Sequence, residues 1–140
     1  MGLLTTIAAA PPQLSSVTEH QPLLRTVRVM SFIDGKMEHS EQVVIEALIK
    51  TIPQLRDLPM HLTSAERVSR EQLLEELRAI SSERLRKQCF IVAVEVALAS
   101  GHVNEHEDRF AEQLRNALRL DEAYARQVIE IIAAKYGRGR

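Results

Sequence analysis

A single cysteine, Cys89, occurs in the 140 residues. No intrachain disulfide can form, and a reducing cytoplasm is the expected home. No uninterrupted run of about 18 apolar residues occurs, so no transmembrane segment is expected. Neither charge sign is in excess: 18 basic and 19 acidic side chains leave a formal charge of −1. Residues 61–140 carry thirteen of each sign, so no field draws that region to nucleic acid or acidic lipid. Glycine and proline are scarce, five of each, which leaves few breaks between regular elements. What is present is an ordinary globular balance, 45% apolar and 26% charged, which excludes a mostly disordered protein. At this length one domain buries roughly 68–70% of its unfolded surface.

Between the sparse breaks the apolar spacing is helical, with no convincing alternation of period two. The expected fold class is all-α, a bundle of six to seven helices. Leu23, Val27 and Met30 form one stripe, in a helix from about Thr18 to Ile33 that Gly35 closes. A second helix runs roughly from His39 to Ile52 and stops before Pro53. Thr63-Ser-Ala-Glu66 reads as a capping box opening a third helix to about Ile80. A fourth, from Ser82 to Ala99, is apolar from Cys89 onward except at Glu95, so it is expected at the centre of the fold. Asn104-Glu-His-Glu107 is a second capping signature, for a helix continuing to about Leu120. Asp121 opens a last helix that Gly137 ends.

The N-terminal residues 1–17 are expected to be a flexible segment, and 137–140 a tail. The first basic residue is Arg25, so the charged start of a signal peptide is missing. Gly2 and Thr6 match the spacing of a myristoylation signal. A frayed terminus leading into the first helix is the simpler reading.

Shifting the chain by 66 residues aligns two helix junctions. Gly35 falls on Gly101, Glu41 on Glu107, Glu46 on Glu112 and Leu48 on Leu114. Upstream, Leu24 meets Phe90 and Met30 meets Val96. The reading is two copies of a three-helix unit, related by a pseudo-twofold and packed around the first and fourth helices.

Each junction has an apolar helix end, a glycine, a few polar residues and a glutamate in the next helix's first turn. The copies read Ile33-Asp34-Gly35-Lys36-Met37-Glu38-His39-Ser40-Glu41 and Ala99-Ser100-Gly101-His102-Val103-Asn104-Glu105-His106-Glu107. This doubled pattern resembles the TerB-like family, named for a tellurite-resistance protein, over about residues 18–136. The resemblance implies an all-helical, non-enzymatic domain of bacterial stress-response systems, linked to divalent cations or to partner proteins. It carries acidic positions over to Asp34 and Glu41 in the first copy and to Glu107 in the second. Ser100 departs from the pattern, standing where an aspartate is expected. The implied partners are other stress-response proteins, with a homodimer also allowed.

The residues themselves support a cation site and also a plainer role. Asp34 lies at a helix C-terminus, whose carbonyls and dipole favour cations. Glu38 and Glu41 add hard oxygen ligands suited to calcium or magnesium. A glutamate in a first helical turn also caps amides without metal, and the spacing is not that of an EF-hand. The expected metal positions are therefore Asp34, Glu38, Glu41 and Glu107, with capping as their structural alternative. No catalytic residue is assigned. The rival reading is a metal-dependent enzyme or metal sensor that uses these acids with the nearby histidines. His102-Val-Asn-Glu105-His106 matches a zinc signature, but that motif needs both histidines on one helix face. Gly101 and Asn104 place His102 in a turn instead. Glu95 is either a buried acid with a raised pKa that marks a functional site or, as the simpler reading, the partner of an arginine or part of one exposed stripe. Cys89 reads as a small core residue. The Arg84, Arg86 and Lys87 cluster lacks interleaved aromatics for base stacking and reads as a solvated face.

Overall fold

The computed structural model describes residues 2–10, 22–23, 25–27, 29–30, 39–52, 69–99 and 103–137. All regular structure among them is helical. Helix α1 is Leu3–Ala9. The described residues between 22 and 30 form α2. Then follow α3 (His39–Thr51), α4 (Arg70–Arg78), α5 (Glu83–Ala99), α6 (Glu105–Ala117) and α7 (Glu122–Lys135).

Helix α5 is the centre of the bundle. It packs against α3, α6 and α7, and α4 lies against α6. Its start is set by Ser82, whose hydroxyl accepts from the Leu85 amide at 3.2 Å. Beyond that point side chains are buried around most of the circumference, among them Cys89, Phe90, Val92, Ala93, Val96 and Ala97. Ala93 and Val96 are both 0% exposed, and Ala97 is 7% exposed, as the apolar run predicts. Such a helix cannot be stable alone in water; it forms because its neighbours cover it.

The stripe of Leu23, Val27 and Met30 on α2 is buried as its spacing predicts. Between its members lies a buried hydroxyl, Thr26, which donates to the Pro22 carbonyl at 2.6 Å. That bond removes the cost of an unpaired polar group in the core. Arg25 ties α2 to α4 through an ion pair with Glu76.

Helix α4 differs from its expected extent. Ser69 is extended (φ −66°, ψ 156°) and is the N-cap, so α4 begins at Arg70 rather than running unbroken from residue 63. The box is Ser69–Gln72: the Gln72 amide donates to Ser69 Oγ at 3.1 Å, and the Ser69 amide donates to Gln72 Oε1 at 3.2 Å. Ser69-Arg-Glu-Gln72 satisfies the same spacing rule as Thr63-Ser-Ala-Glu66, and sequence alone does not rank two such boxes. Residues 63–66 lie outside the described residues. Leu73, Leu74 and Leu77 form the buried side of α4.

The turn between α6 and α7 is a Schellman motif. The Leu120 amide donates to the Arg115 carbonyl at 3.1 Å and the Arg119 amide to the Asn116 carbonyl at 3.1 Å. Arg119 takes the left-handed position with φ 56°, where glycine is usual. Its guanidinium donates to the Ile80 carbonyl at 2.8 Å, Arg86 donates to the Leu118 carbonyl at 3.2 Å, and Arg115 donates to the Leu120 carbonyl at 3.2 Å. Arginines thus satisfy backbone acceptors that the ends of α4 and α6 leave over. Helix α7 turns Ala125, Val128 and Ile132 inward and ends at Gly137, whose φ of 68° is the left-handed stop.

Gly35 and Gly101, the anchors of the proposed repeat, lie outside the described residues. Met30 and Val96, one aligned pair, are both in the core. Another pair differs in depth, with Leu114 fully buried and Leu48 only partly so.

Candidate functional site

Asp34 and Glu38 lie outside the described residues. Glu41 falls in the first turn of α3, and its side chain lies outside the described set. Glu107 is placed in full. It is 4% exposed and, as the third residue of α6, closes a capping box with Asn104. Its amide donates to Asn104 Oδ1 at 2.9 Å, and the Asn104 amide donates to its Oε1 at 3.4 Å. The capping alternative is therefore realised here, and the carboxylate is turned toward its own helix end.

The zinc-like string is separated by the same cap. Asn104 is extended (φ −93°, ψ 174°), so residue 102 precedes the helix that carries Glu105 and His106. Both of those side chains are exposed. Among the described residues no three or more His, Cys, Asp or Glu side chains come together as a metal site.

The acid inside the apolar helix has partners. Glu95 forms an ion pair with Lys135 and accepts from Tyr136 Oη at 3.0 Å. This clamp fastens the end of α7 to α5. Burial, then the hydrogen bond to Glu95 and its charge, push the Tyr136 phenol up to about 12. Cys89 is 0% exposed, and burial pushes its thiol up to about 12, with a hydrogen bond to Thr26 acting the other way. A thiol so held is not a nucleophile near neutral pH. In the basic cluster, Arg84 is exposed while its two neighbours serve the fold. Arg86 binds the Leu118 carbonyl, and Lys87 pairs with Glu83 at 3.2 Å and lies 5.0 Å from the Tyr124 ring centre.

Among the described residues a concave feature lies elsewhere, in an open cleft of about 360 Å³ lined by α6 and α7. Its apolar part is formed by Phe90, Ala111, Ala125 and Ile129. Small residues at 111 and 125 leave space between the helices, and the Phe90 side chain of α5 closes the base. Charged groups line the rest: Asp108, Glu112 and Arg115 from α6, and Glu122, Arg126 and Glu130 from α7. Those nearest the turn pair within their own helices. Arg115 meets Glu112 at 2.5 Å and Arg126 meets Glu122 at 3.2 Å. The hydrogen bond from Arg115 holds the Glu112 carboxyl below the usual carboxylate range. Asp108 and Glu130, at the opposite end, are exposed and lack such a partner among the described residues.

Sequence reasoning missed this cleft. Its signal was present as the spacing 108, 111, 112, 115 on one helix and 122, 125, 126, 129, 130 on the next, each a single helical face. Without knowledge that the two faces border one cleft, two polar faces look like two solvated faces.

Compared with protein-family models, curated proteins and solved structures, the chain matches none. The TerB-like resemblance therefore stands on the junction motif alone.

Proposed function

We propose that this chain is a TerB-like helical domain acting in the cytoplasm as a non-enzymatic protein-interaction module of a tellurite-resistance or stress-response system. The supporting observation is the α6–α7 cleft. It offers apolar surface, including the partly exposed Ile129, beside two carboxylates, Asp108 and Glu130, that have no ion-pair partner among the described residues. Mixed apolar and charged concavities of this kind suit recognition of another protein. Helix α5 and its buried side chains supply the rigid base on which such a surface is held.

In the same proposal Asp34, Glu38 and Glu41 bind calcium or magnesium weakly at the first junction, since few carboxylates with water make a sparse oxygen site. Glu107 keeps its capping role at the second junction.

The test is photo-crosslinking in the native host, with a photoreactive amino acid at position 129 and, as control, at the exposed position 71. A discrete partner captured at 129 alone supports the interaction module, and equal capture at both positions, or none, removes it. The cation half is tested by thermal melts with calcium, magnesium and zinc. Wild type should gain stability with calcium or magnesium, as linkage requires for a ligand of the native state. Asp34→Asn should lose that gain while its metal-free melt changes little. No shift at millimolar cation ends the cation proposal, and a strong zinc response would favour the metal-sensor rival.

A further inference from the structure

We propose that the α6–α7 cleft receives a basic amphipathic helix of a partner protein, with an apolar side chain against Ile129 and Ala111 and a lysine or arginine against Asp108 and Glu130. The inference rests on the interaction-module reading and names the chemistry of its partner.

The charge balance of the cleft carries the argument. Arg115 is fully committed: to Glu112, to Asn116 Oδ1 at 3.1 Å and to the Leu120 carbonyl at 3.2 Å. Arg126 is paired with Glu122. Both cations of the cleft are thus cancelled by acids of their own helices, near the turn. Among the described residues, Asp108 and Glu130 remain as uncompensated negative charge at the other end. An anionic ligand or a nucleic-acid backbone would meet net repulsion there, whereas a cation would be drawn in.

The shape selects a helix. Residues 108 to 115 span seven rises of an α-helix, roughly 10 Å, so the α6 wall of the cleft matches about two turns of a third helix in length. Helices dock in grooves between helices by ridge-into-groove packing, and the described residues contain no strand edge that an extended peptide could join. The apolar floor and acidic end then require an apolar residue and a basic residue on one face, three or four positions apart.

The probe is a fluorescein-labelled synthetic peptide of leucine and lysine in amphipathic spacing, about four helical turns long, titrated by fluorescence anisotropy against the full chain. One-to-one binding that weakens with salt is expected. Combining Asp108→Asn with Glu130→Gln should weaken it by roughly tenfold. The control pair Glu71→Gln and Glu75→Gln, exposed acids of α4, should leave it unchanged. Asp108→Lys with Glu130→Lys should reject the lysine peptide and accept its leucine–glutamate counterpart. These exposed positions carry little stability, and circular dichroism melts confirm that each variant folds. Equal binding by wild type and the cleft variants, equal loss in the α4 control, or no binding would each overturn the inference. A partner crosslinked at position 129 through an acidic or extended segment would overturn it too, while leaving the interaction module standing. Failure of both experiments removes both.

Discussion

Helices α5 and α7 are built from much the same material, branched aliphatics and alanine, yet they use it in opposite ways. In α5 the aliphatics go inward on nearly every side, and Val92, Val94 and Val96 are all buried. In α7 only one face is covered: Ile132 is 8% exposed, whereas its neighbour Ile131 is 70% exposed. The difference comes from position. Helix α5 has α3, α6 and α7 around it, while α7 packs chiefly against α5. Apolar content identifies a helix that wants covering, but the number of neighbours decides how much of it is covered.

The largest expected effect breaks the covered side. Val96→Asp places a carboxylate where the native side chain is 0% exposed. The variant should lose its cooperative thermal transition, with far-UV circular dichroism reporting a molten or unfolded chain. A melt like that of wild type would mean α5 is not central.

The contrast within α7 is the next test. Ile132→Asp should cost about 3 kcal/mol or more in urea unfolding, because a charge replaces a buried side chain. Ile131→Asp should stay within about 0.5 kcal/mol of wild type, as exposed substitutions do. Equal costs would show that the outward face of α7 is covered in solution, for instance by a second copy.

Caps give smaller, matched effects on α4 and α6. Ser69→Ala and Asn104→Ala each remove a side-chain acceptor from an otherwise orphaned amide, at about 1 kcal/mol. Thr63→Ala is the comparison that separates the two boxes before Leu73. If it costs as much as Ser69→Ala, the helix does begin at the earlier box.

Much of the fold was legible because helices announce themselves locally. The bounds of α3, α5 and the start of α6 follow from spacing, from the proline after Ile52 and from the Asn104–Glu107 box, all of them near-neighbour signals. The start of α4 was misread because two boxes of equal quality compete within a few residues. Arg119 in a left-handed turn gave no signal, since the residue usually found there is glycine. Of the expected metal positions, Glu107 proved legible as a cap, while Asp34 and Glu38 lie outside the described residues. The cleft was illegible for a different reason. Asp108 and Glu130 belong to separate helices, and only tertiary packing leaves them at one end of a groove while Arg115 and Arg126 are spent elsewhere.

The smallest expected effect concerns the clamp joining the two helices compared above. Tyr136 donates to Glu95, and its phenol is raised from 10.0 to about 12 in the fold. The native state therefore holds this proton at pH values where the unfolded chain has released it. Stability from the clamp is complete below the unfolded pKa near 10 and is lost as pH climbs toward 12. Tyr136→Phe keeps the ring but removes both the hydrogen bond and the titration. Near neutrality it should destabilise by about 1 kcal/mol or less. Wild type and variant melting temperatures should then converge as the buffer is taken from pH 9 upward, since only wild type has this contribution to lose. Other titrating groups, including Cys89, act on both proteins and cancel in the difference. A gap that stays constant or widens with rising pH would show that Tyr136 is not held by Glu95, leaving Lys135 and the apolar face to fasten α7 to α5.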